Sequence, residues 1–189
     1  MTGTDSPEHD LARIEASAAA PRGKTPPRDC GHFDIHIDIH GSWFYRGTPI
    51  NRASLVRLFS TVLERDAAGQ YWLTTPAERG RITVADAPFL AVELDRADDG
   101  LDQDLTLRTN VGDIVTMDAA HPLRIETDAA TGSPRPYILV RNGLEARLVR
   151  PVFYALVDLG REERVGDTIQ FGVWSKKTFF PLGRLTDDA

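Results

Sequence analysis

The sequence predicts an α+β protein of two lobes that arose by internal duplication, each lobe made of a β-hairpin, a helix and antiparallel strands. Apolar and polar residues alternate over residues 33–40, a period of two that is typical of a strand with one buried face. The order hairpin, helix, strand, strand then occurs twice along the 189 residues. Each helix has a single apolar stripe, which must be buried against a sheet.

Residues 1–28 are predicted to form a flexible N-terminal arm, since the segment is rich in Ala, Pro, Ser and charge. Residues Asp10 to Ala20 favour a short helix. The apolar face of this helix, formed by Leu11, Ile14 and Ala18, is too thin to fold alone. We therefore expect the arm to be flexible unless it docks.

The N-terminal lobe is predicted over residues 29–104. The first strand is followed by Gly41, which permits a tight turn, and Trp43 begins the returning strand. Asn51 is a suitable N-cap for the helix that follows. The helix has an apolar stripe of Leu55, Leu58, Phe59, Val62 and Leu63, and the later strands are predicted at 70–74, 81–84 and 88–94.

The C-terminal lobe is predicted over residues 105–189, with the junction between the lobes near residues 95–105. Its hairpin turns at Asn142-Gly143, the strongest short hairpin signal, and Pro151 fits the first turn of its helix. The predicted strands of this lobe are 105–109, 113–117, 123–127, 137–141, 144–150, 168–174 and 178–182.

Two alignments of the halves compete. The tripeptide Leu-Val-Arg at 55–57 and 148–150 suggests one alignment, but it would set a helix against a strand. Matching Arg52 with Arg150 superposes helix on helix instead, so we favour this second alignment. It pairs Leu55 with Phe153, Leu58 with Leu156 and Phe59 with Val157.

Composition excludes several classes of protein. No apolar run approaches the roughly 20 residues needed to span a bilayer, and the N-terminus lacks an apolar signal core, so we expect a cytoplasmic protein. The single cysteine, Cys30, excludes a disulfide framework. A net charge of −6 argues against sequence-independent binding to duplex DNA, although an arginine-lined pocket for one anion stays open.

The stretch HIDIH at residues 36–40 raises the question of a metal site. His36 and His40 lie about 13 Å apart along a strand, too far to share one ion, whereas His36 and Asp38 are about 6.6 Å apart. A solvated sheet face is the better interpretation, and we expect no bound metal and no cofactor. The acidic run at 95–104 resembles a calcium loop, but Ala97 and Thr106 stand where ligands belong.

Arginines and tryptophans at matching places in the two halves form the candidate ligand site. Arginine binds phosphate or carboxylate through two parallel hydrogen bonds, and indole offers a stacking surface. We expect an anionic ligand to lie where the two lobes meet. The predicted ligand-binding residues are Trp43, Arg46, Arg52, Arg79, Arg108, Asn110, Trp174 and Lys176.

Several long strings resemble the uncharacterised proteobacterial family numbered 1285 among domains of unknown function. They include CGHFDI, GSWFYRGTPINRASLVRLFSTVL, LRTNVGDIV and GVWSKKTFFPLG, and they run in order from Cys30 to Gly183. The resemblance implies two stacked α+β lobes from a duplication, the C-terminal one loosely similar to a pleckstrin-homology fold. Arg28 and Asp29 stand where the family usually has an apolar or aromatic residue, which weakens the expectation that the arm docks.

Three functions follow as hypotheses. A ligand-binding or regulatory module in signalling would hold an anionic, nucleotide-like small molecule between its lobes. A hydrolase of phosphorylated or nucleotide substrates would use Asp113, His121 or His36 as acid or base, but the sequence supports no paired nucleophile and base. A protein-interaction scaffold would use the sheet edges that carry the tryptophans. The sequence thus favours a binding protein over an enzyme.

Overall fold

The computed structural model describes residues 7–21 and 26–184, which form mostly strands with three α-helices. The helices are α1 (Pro7–Ala18), α2 (Ala53–Thr61) and α3 (Arg150–Asp158). The chain divides into two compact units: unit 1 holds Met1–Pro88 with Asn142–Leu144, and unit 2 holds Phe89–Arg141 with Glu145–Ala189. The predicted α+β class and the two lobes are confirmed. None of the described helices is long and apolar enough to cross a membrane.

The division falls at residue 88 and not near residues 95–105 as the sequence suggested. The segment 88–94, which the sequence predicts in the N-terminal lobe, begins a long strand (Phe89–Ala97) that pairs with Asp104–Thr109. The predicted junction is the turn between these two strands of unit 2. The turn residues at 98–103 were therefore a hairpin signal inside one unit and not a boundary between two.

Unit 1 contains a six-stranded sheet in the order β3-β2-β1-β6-β5-β4. Its strands are β1 (Arg28–Ile37), β2 (Trp43–Tyr45), β3 (Thr48–Pro49), β4 (Leu63–Arg65), β5 (Tyr71–Thr74) and β6 (Glu78–Val84). β1 and β6 are parallel and the other neighbours are antiparallel. The parallel pair of β1 and β6 lies at the centre of the sheet, with β2 and β3 on one side and β5 and β4 on the other.

The alternation in β1 sets an inner and an outer face for this sheet. Phe33, Ile35 and Ile37 are buried on the inner face, while Asp34 is exposed and His36 half-buried on the outer face. On the inner face, the indole of Trp43 lies 6.3 Å from the ring of Phe59 in α2. Burial of this apolar face by α2 is what the stripe of the helix predicted.

The described part of the N-terminal arm docks within unit 1, which is the exception that the sequence left open to the predicted flexibility. α1 packs against α2 and buries Ile14, which is 2% exposed. Its thin apolar face is supplemented by polar contacts: the Ser17 and Thr75 hydroxyl oxygens lie 2.7 Å apart, and Arg46 reaches Asp10 at 2.9 Å. Hydrogen bonds and ion pairs thus help to hold α1 in place, since its apolar stripe is small. The residues of the arm at 1–6 and 22–25 lie outside the described part of the chain.

Unit 2 contains a six-stranded sheet, in the order β10-β11-β12-β7-β8-β9, and a three-stranded sheet, β13-β14-β15. The strands of the larger sheet are β7 (Phe89–Ala97), β8 (Asp104–Thr109), β9 (Ile114–Thr116), β10 (Leu123–Thr127), β11 (Pro134–Arg141) and β12 (Leu144–Leu148). Those of the smaller sheet are β13 (Arg161–Val165), β14 (Thr168–Ser175) and β15 (Thr178–Arg184). The helix α3 lies between β12 and β13 in the chain.

The repeated order is present in both halves, with two differences from the prediction. In unit 1 the three strands after α2 join the sheet of the hairpin, whereas in unit 2 the three strands after α3 form a separate sheet. The helices also align one residue away from the predicted register. Leu55 and Phe59 are buried in α2, and Val152 and Leu156 are buried in α3. Aligning the two helices by these buried residues pairs Leu55 with Val152 and Phe59 with Leu156.

Candidate functional site

The outer face of the unit 1 sheet carries a cluster of aromatic and basic side chains. Alternation along β6 places Arg79 and Arg81 there, because Glu78, Gly80 and Ile82 are buried on the other side. The register sets Trp72 of β5 opposite Arg81. We call Trp72, Arg79 and Arg81 the outer-face cluster.

Arg79 stacks on Trp72. The guanidinium carbon of Arg79 lies 3.9 Å from the centroid of the indole ring, and that of Arg81 lies 5.8 Å from it. Both distances fall within the range of a cation–π interaction. The Nε atom of Arg79 is buried and has no hydrogen-bond partner among the described residues. The stack therefore fixes one guanidinium while leaving part of its donor capacity unused.

Asp66 supports the cluster from its edge. The Trp72 indole N–H donates to Asp66 Oδ2 at 2.8 Å, and the backbone N–H of Gln70 donates to Asp66 Oδ1 at 2.8 Å. These hydrogen bonds, with the charge of Arg79, lower the pKa of the Asp66 carboxyl. Asp66 thus holds the indole in place, and as an anion it partly offsets the positive charge nearby.

An open groove of about 390 Å³ lies beside Arg81. His32, Gln70 and Thr83 also line it. His32 is opposite Arg81 in the register of β1 and β6, and its Nε2 lies 3.5 Å from the Thr83 hydroxyl. The groove thus offers hydrogen-bonding groups and one guanidinium on the same side of the sheet as Trp72.

The other predicted ligand residues of unit 1 are engaged within the unit. Trp43 is 2% exposed and belongs to the core. Arg46 forms ion pairs with Asp10 and Asp34, and Arg52 hydrogen-bonds Glu15 at 2.5 Å. Trp43 therefore presents no surface to a ligand, and the two arginines already face carboxylates.

The predicted residues of unit 2 are engaged in the same way. Arg108 pairs with Glu93 at 2.9 Å, and the Asn110 side chain accepts a hydrogen bond from the Leu90 backbone N–H at 3.0 Å. The Trp174 indole donates to Glu163 at 3.1 Å, and Lys176 forms an ion pair with Asp104. None of these contacts requires a ligand, since each neutralises or satisfies the group it involves.

The ligand-binding residues predicted from the sequence include Arg79 but not Trp72, Arg81 or His32, although Arg81 and Trp72 belong to the set of arginines and tryptophans at matching places. The signal for them was present. Arg79 and Arg81 are two residues apart on a strand and so share a face. The missing information was the pairing of β5 with β6 and of β1 with β6, which brings Trp72 and His32 beside them.

The residues considered for acid–base chemistry are not assembled into a site. Asp113 forms an ion pair with Arg141, and His121 Nδ1 lies 2.9 Å from the Leu139 carbonyl oxygen. His36 lies on β1 of unit 1, with its ring 6.2 Å from that of Phe44. Within the described ranges, no group of three or more His, Cys, Asp or Glu residues could hold a metal ion.

The HIDIH stretch has a structural explanation. Asp38 Oδ1 accepts hydrogen bonds from the backbone N–H groups of His40 and Ser42, both at 2.8 Å. Asp38 thus stabilises the turn at Gly41 that connects β1 to β2. The acidic run is likewise partnered, because Asp99 pairs with Arg96 at 2.7 Å and Asp102 with Lys177 at 3.8 Å.

Comparisons with known proteins agree with this organisation. Residues 20–87 match the model described as the N-terminal domain of DUF1285, a domain of unknown function, and residues 88–182 match the C-terminal domain of the same family. The boundary between the two family matches lies within one residue of the division between the units at Pro88 and Phe89. No match was found among curated proteins.

Two solved structures are similar to the chain. The crystal structure of a DUF1285 family protein from Silicibacter pomeroyi DSS-3 is 44% identical, with a TM-score of 0.79, and the match covers 91% of this chain and 95% of that one. The crystal structure of a DUF1285 family protein from Shewanella baltica OS155 is 26% identical, with a TM-score of 0.54, over 67% of this chain and 92% of that one.

Proposed function

Since the chain belongs to the DUF1285 family, whose models describe domains of unknown function, we propose a function from the geometry of its side chains. The protein is a ligand-binding or regulatory module that holds an anionic, nucleotide-like small molecule. The outer-face cluster of unit 1 is where that molecule binds. The observation that carries this proposal is the stack of Arg79 on Trp72.

The stack suits recognition of an anion. A guanidinium that stacks through one flat face keeps its N–H groups in its own plane, at the edge of the stack. There they can bond a phosphate or carboxylate. No carboxylate of residues 7–21 or 26–184 forms an ion pair with Arg79 or Arg81, in contrast to Arg46, Arg52 and Arg108. The positive charge of the outer-face cluster is thus opposed mainly by Asp66.

The aromatic and polar neighbours support a ligand with a ring. Trp72 and Arg79 each have a second flat face, away from their mutual contact, against which a base or another planar group can stack. The groove beside Arg81 offers His32, Gln70 and Thr83 as hydrogen-bonding partners for a sugar or a second anionic group. A ligand with a planar part and a phosphate would therefore use more of this surface than a bare phosphate.

The hydrolase alternative has weaker support. Asp113 and His121 each contact a structural partner, and the His36 ring lies in a tilted arrangement beside Phe44. The pleckstrin-homology likeness that the family resemblance implies for the C-terminal lobe also favours a binding platform over a catalyst, by analogy of fold. Binding without turnover of nucleotides and sugar phosphates would distinguish the module from the hydrolase.

A thermal-shift screen of nucleotides, cyclic dinucleotides and sugar phosphates, followed by calorimetric titration of any hit, tests the proposal. A ligand selective for the folded state raises the melting temperature of the parent protein. We expect Arg79→Ala or Arg81→Ala to weaken binding by about 5- to 150-fold, equivalent to about 1–3 kcal/mol. Arg57→Ala is the matched control, because it removes the same charge from an exposed position on α2.

Two results would overturn the proposal. One is the absence of any shift across the whole screen. The other is a ligand whose affinity falls as much with Arg57→Ala as with Arg79→Ala, since that would show a response to net charge and not to the outer-face cluster. In either case a protein-interaction scaffold becomes the better hypothesis.

A further inference from the structure

α1 packs against α2 within unit 1, and we call the surface of the rest of the unit that it covers, with Arg46, Arg52 and Glu78, the α1 groove. The charges of this surface are opposite to those of the helix residues that meet it. α1 is joined to the rest of the unit by three charged contacts: Asp10 with Arg46, Arg13 with Glu78, and Glu15 with Arg52. Two of these three place a carboxylate of the helix on an arginine of the unit. The groove is therefore basic where it receives Asp10 and Glu15, although the protein as a whole is acidic.

The apolar part of this contact is small. Among the described side chains of α1, Ile14 and Ala18 are the buried apolar ones, at 2% and 9% exposure. Asp10 is buried to a similar degree, at 8%, and the Tyr45 hydroxyl donates to it at 3.3 Å. Docking of α1 thus depends on a few polar contacts and a single large apolar residue, whereas α2 buries two, Leu55 and Phe59.

The connection to β1 allows the helix to leave its groove. Ala18 ends α1 and Arg28 begins β1, so residues 19–27 connect the two elements. A chain of that length spans roughly 30 Å when extended, at about 3.3–3.6 Å per residue. α1 can therefore leave the groove while it stays covalently attached to unit 1.

From these contacts we propose that the groove under α1 is a docking site for an acidic amphipathic helix of a partner protein, and that α1 fills the site in cis as a removable occupant. An isoleucine with carboxylates at i−4 and i+1 and an arginine at i−1 is the pattern that the groove accepts in α1. Release of α1 would free Arg46 and Arg52 for two carboxylates of the partner and Glu78 for one basic side chain, with a large apolar residue in the place of Ile14. This proposal goes beyond the binding of a small molecule and does not depend on it.

The test uses the full chain and a labelled peptide of residues 5–21, DSPEHDLARIEASAAAP, as the probe. Ile14→Ser removes the main apolar contact of the resident helix, whereas Ala16→Ser makes a similar change at an exposed position of α1. Fluorescence anisotropy then gives the Kd of the peptide for each chain. We expect the Ile14→Ser chain to bind at least about tenfold more tightly than the parent or the Ala16→Ser chain, because its groove is more often vacant.

The arginines are tested on the same background. Adding Arg46→Ala and Arg52→Ala to Ile14→Ser should weaken peptide binding by at least about tenfold, and a peptide with Asp10→Asn and Glu15→Gln should bind equally poorly. If Ile14→Ser prevents folding, Arg13→Ala weakens the resident helix instead, and circular dichroism checks that each variant is folded.

Three outcomes would overturn the proposal. The first is an equal Kd for the parent, Ala16→Ser and weakened chains. The second is binding that does not change when the two arginines are replaced. The third is dimerisation of the weakened chain by light scattering, since it would show that α1 of a second copy fills the groove. None of these outcomes affects ligand binding at Arg79 and Arg81, so the two proposals fail separately.

Discussion

Glu78 and Arg79 are neighbours in the sequence, yet their side chains belong to opposite faces of the unit 1 sheet. Glu78 is 5% exposed on the inner face, where Arg13 of α1 reaches it. Arg79 stacks on Trp72 on the outer face. One strand therefore anchors the resident helix with one side chain and forms the candidate ligand site with the next. Substitutions at these two positions can test the two faces independently.

Replacement of Arg13 should destabilise the protein. The Glu78 carboxylate is buried, and its Oε1 has no hydrogen-bond partner among the described residues, so Arg13 supplies its main compensation. We expect Arg13→Ala to lower the free energy of unfolding by about 1–3 kcal/mol in urea denaturation. The double variant with Glu78→Gln should recover part of this loss, because a neutral amide costs less to bury. A double variant no more stable than Arg13→Ala would contradict this account.

Gly80 should not tolerate a side chain. A Cβ atom added there would lie 2.7 Å from ring atoms of Phe33, in the centre of the inner face. We expect Gly80→Ala to cost about 1–3 kcal/mol in the free energy of unfolding, as overpacking of a core does. Gly183→Ala in β15 is the control, since nothing lies within 4 Å of its Cβ position. Equal thermal stability of the two variants would show that Phe33 moves aside without cost.

Much of the fold could be predicted from local signals. The period of two in Phe33, Ile35 and Ile37 gave the inner face of β1, and Asn142-Gly143 gave the turn between β11 and β12. The alignment of α2 with α3 was harder to predict, because several adjacent apolar residues of α3 could form its buried stripe. Burial of Val152 and Leu156 selects one of these fits, and burial depends on tertiary packing.

The docking of α1 and the candidate site depended on partners that are distant in the sequence. Asp10 meets Arg46, and Arg13 meets Glu78, across 36 and 65 residues. The sequence of residues 1–28 by itself shows only a thin apolar face, so these contacts cannot be predicted from it. The same limit explains why the predicted site includes Arg79 without Trp72, since their contact follows from the pairing of β5 with β6.

The pKa of Asp66 should respond to Trp72. The indole N–H is the main cause of the lowered pKa of this carboxyl, so Trp72→Phe should raise the pKa toward its ordinary value of 3.8. A carboxyl whose pKa is lowered by folding stabilises the protein fully at a pH above its unfolded-state pKa, near 3.8, and this contribution is lost as the pH falls through the folded-state pKa. We therefore expect the parent to lose more stability than Trp72→Phe between neutral pH and acid. Carboxyl NMR titration of both proteins measures the shift, with Asp128 as an internal reference. A pKa of Asp66 that is the same in both proteins would rule out this role of the indole.

Tyr45 should report whether α1 is docked. Burial raises the pKa of its hydroxyl above the ordinary 10.0, and the charge of Asp10 in α1 raises it further. Because the folded-state pKa is the higher one, the stabilisation is complete below pH 10 and is lost as the pH rises through the folded pKa. Asp10→Asn should lower the pKa of Tyr45, since it removes the carboxylate charge while keeping a similar shape. The ultraviolet difference between each protein and its Tyr45→Phe counterpart isolates this residue during an alkaline titration. An identical pKa in the parent and in Asp10→Asn would mean that α1 does not occupy its groove in solution.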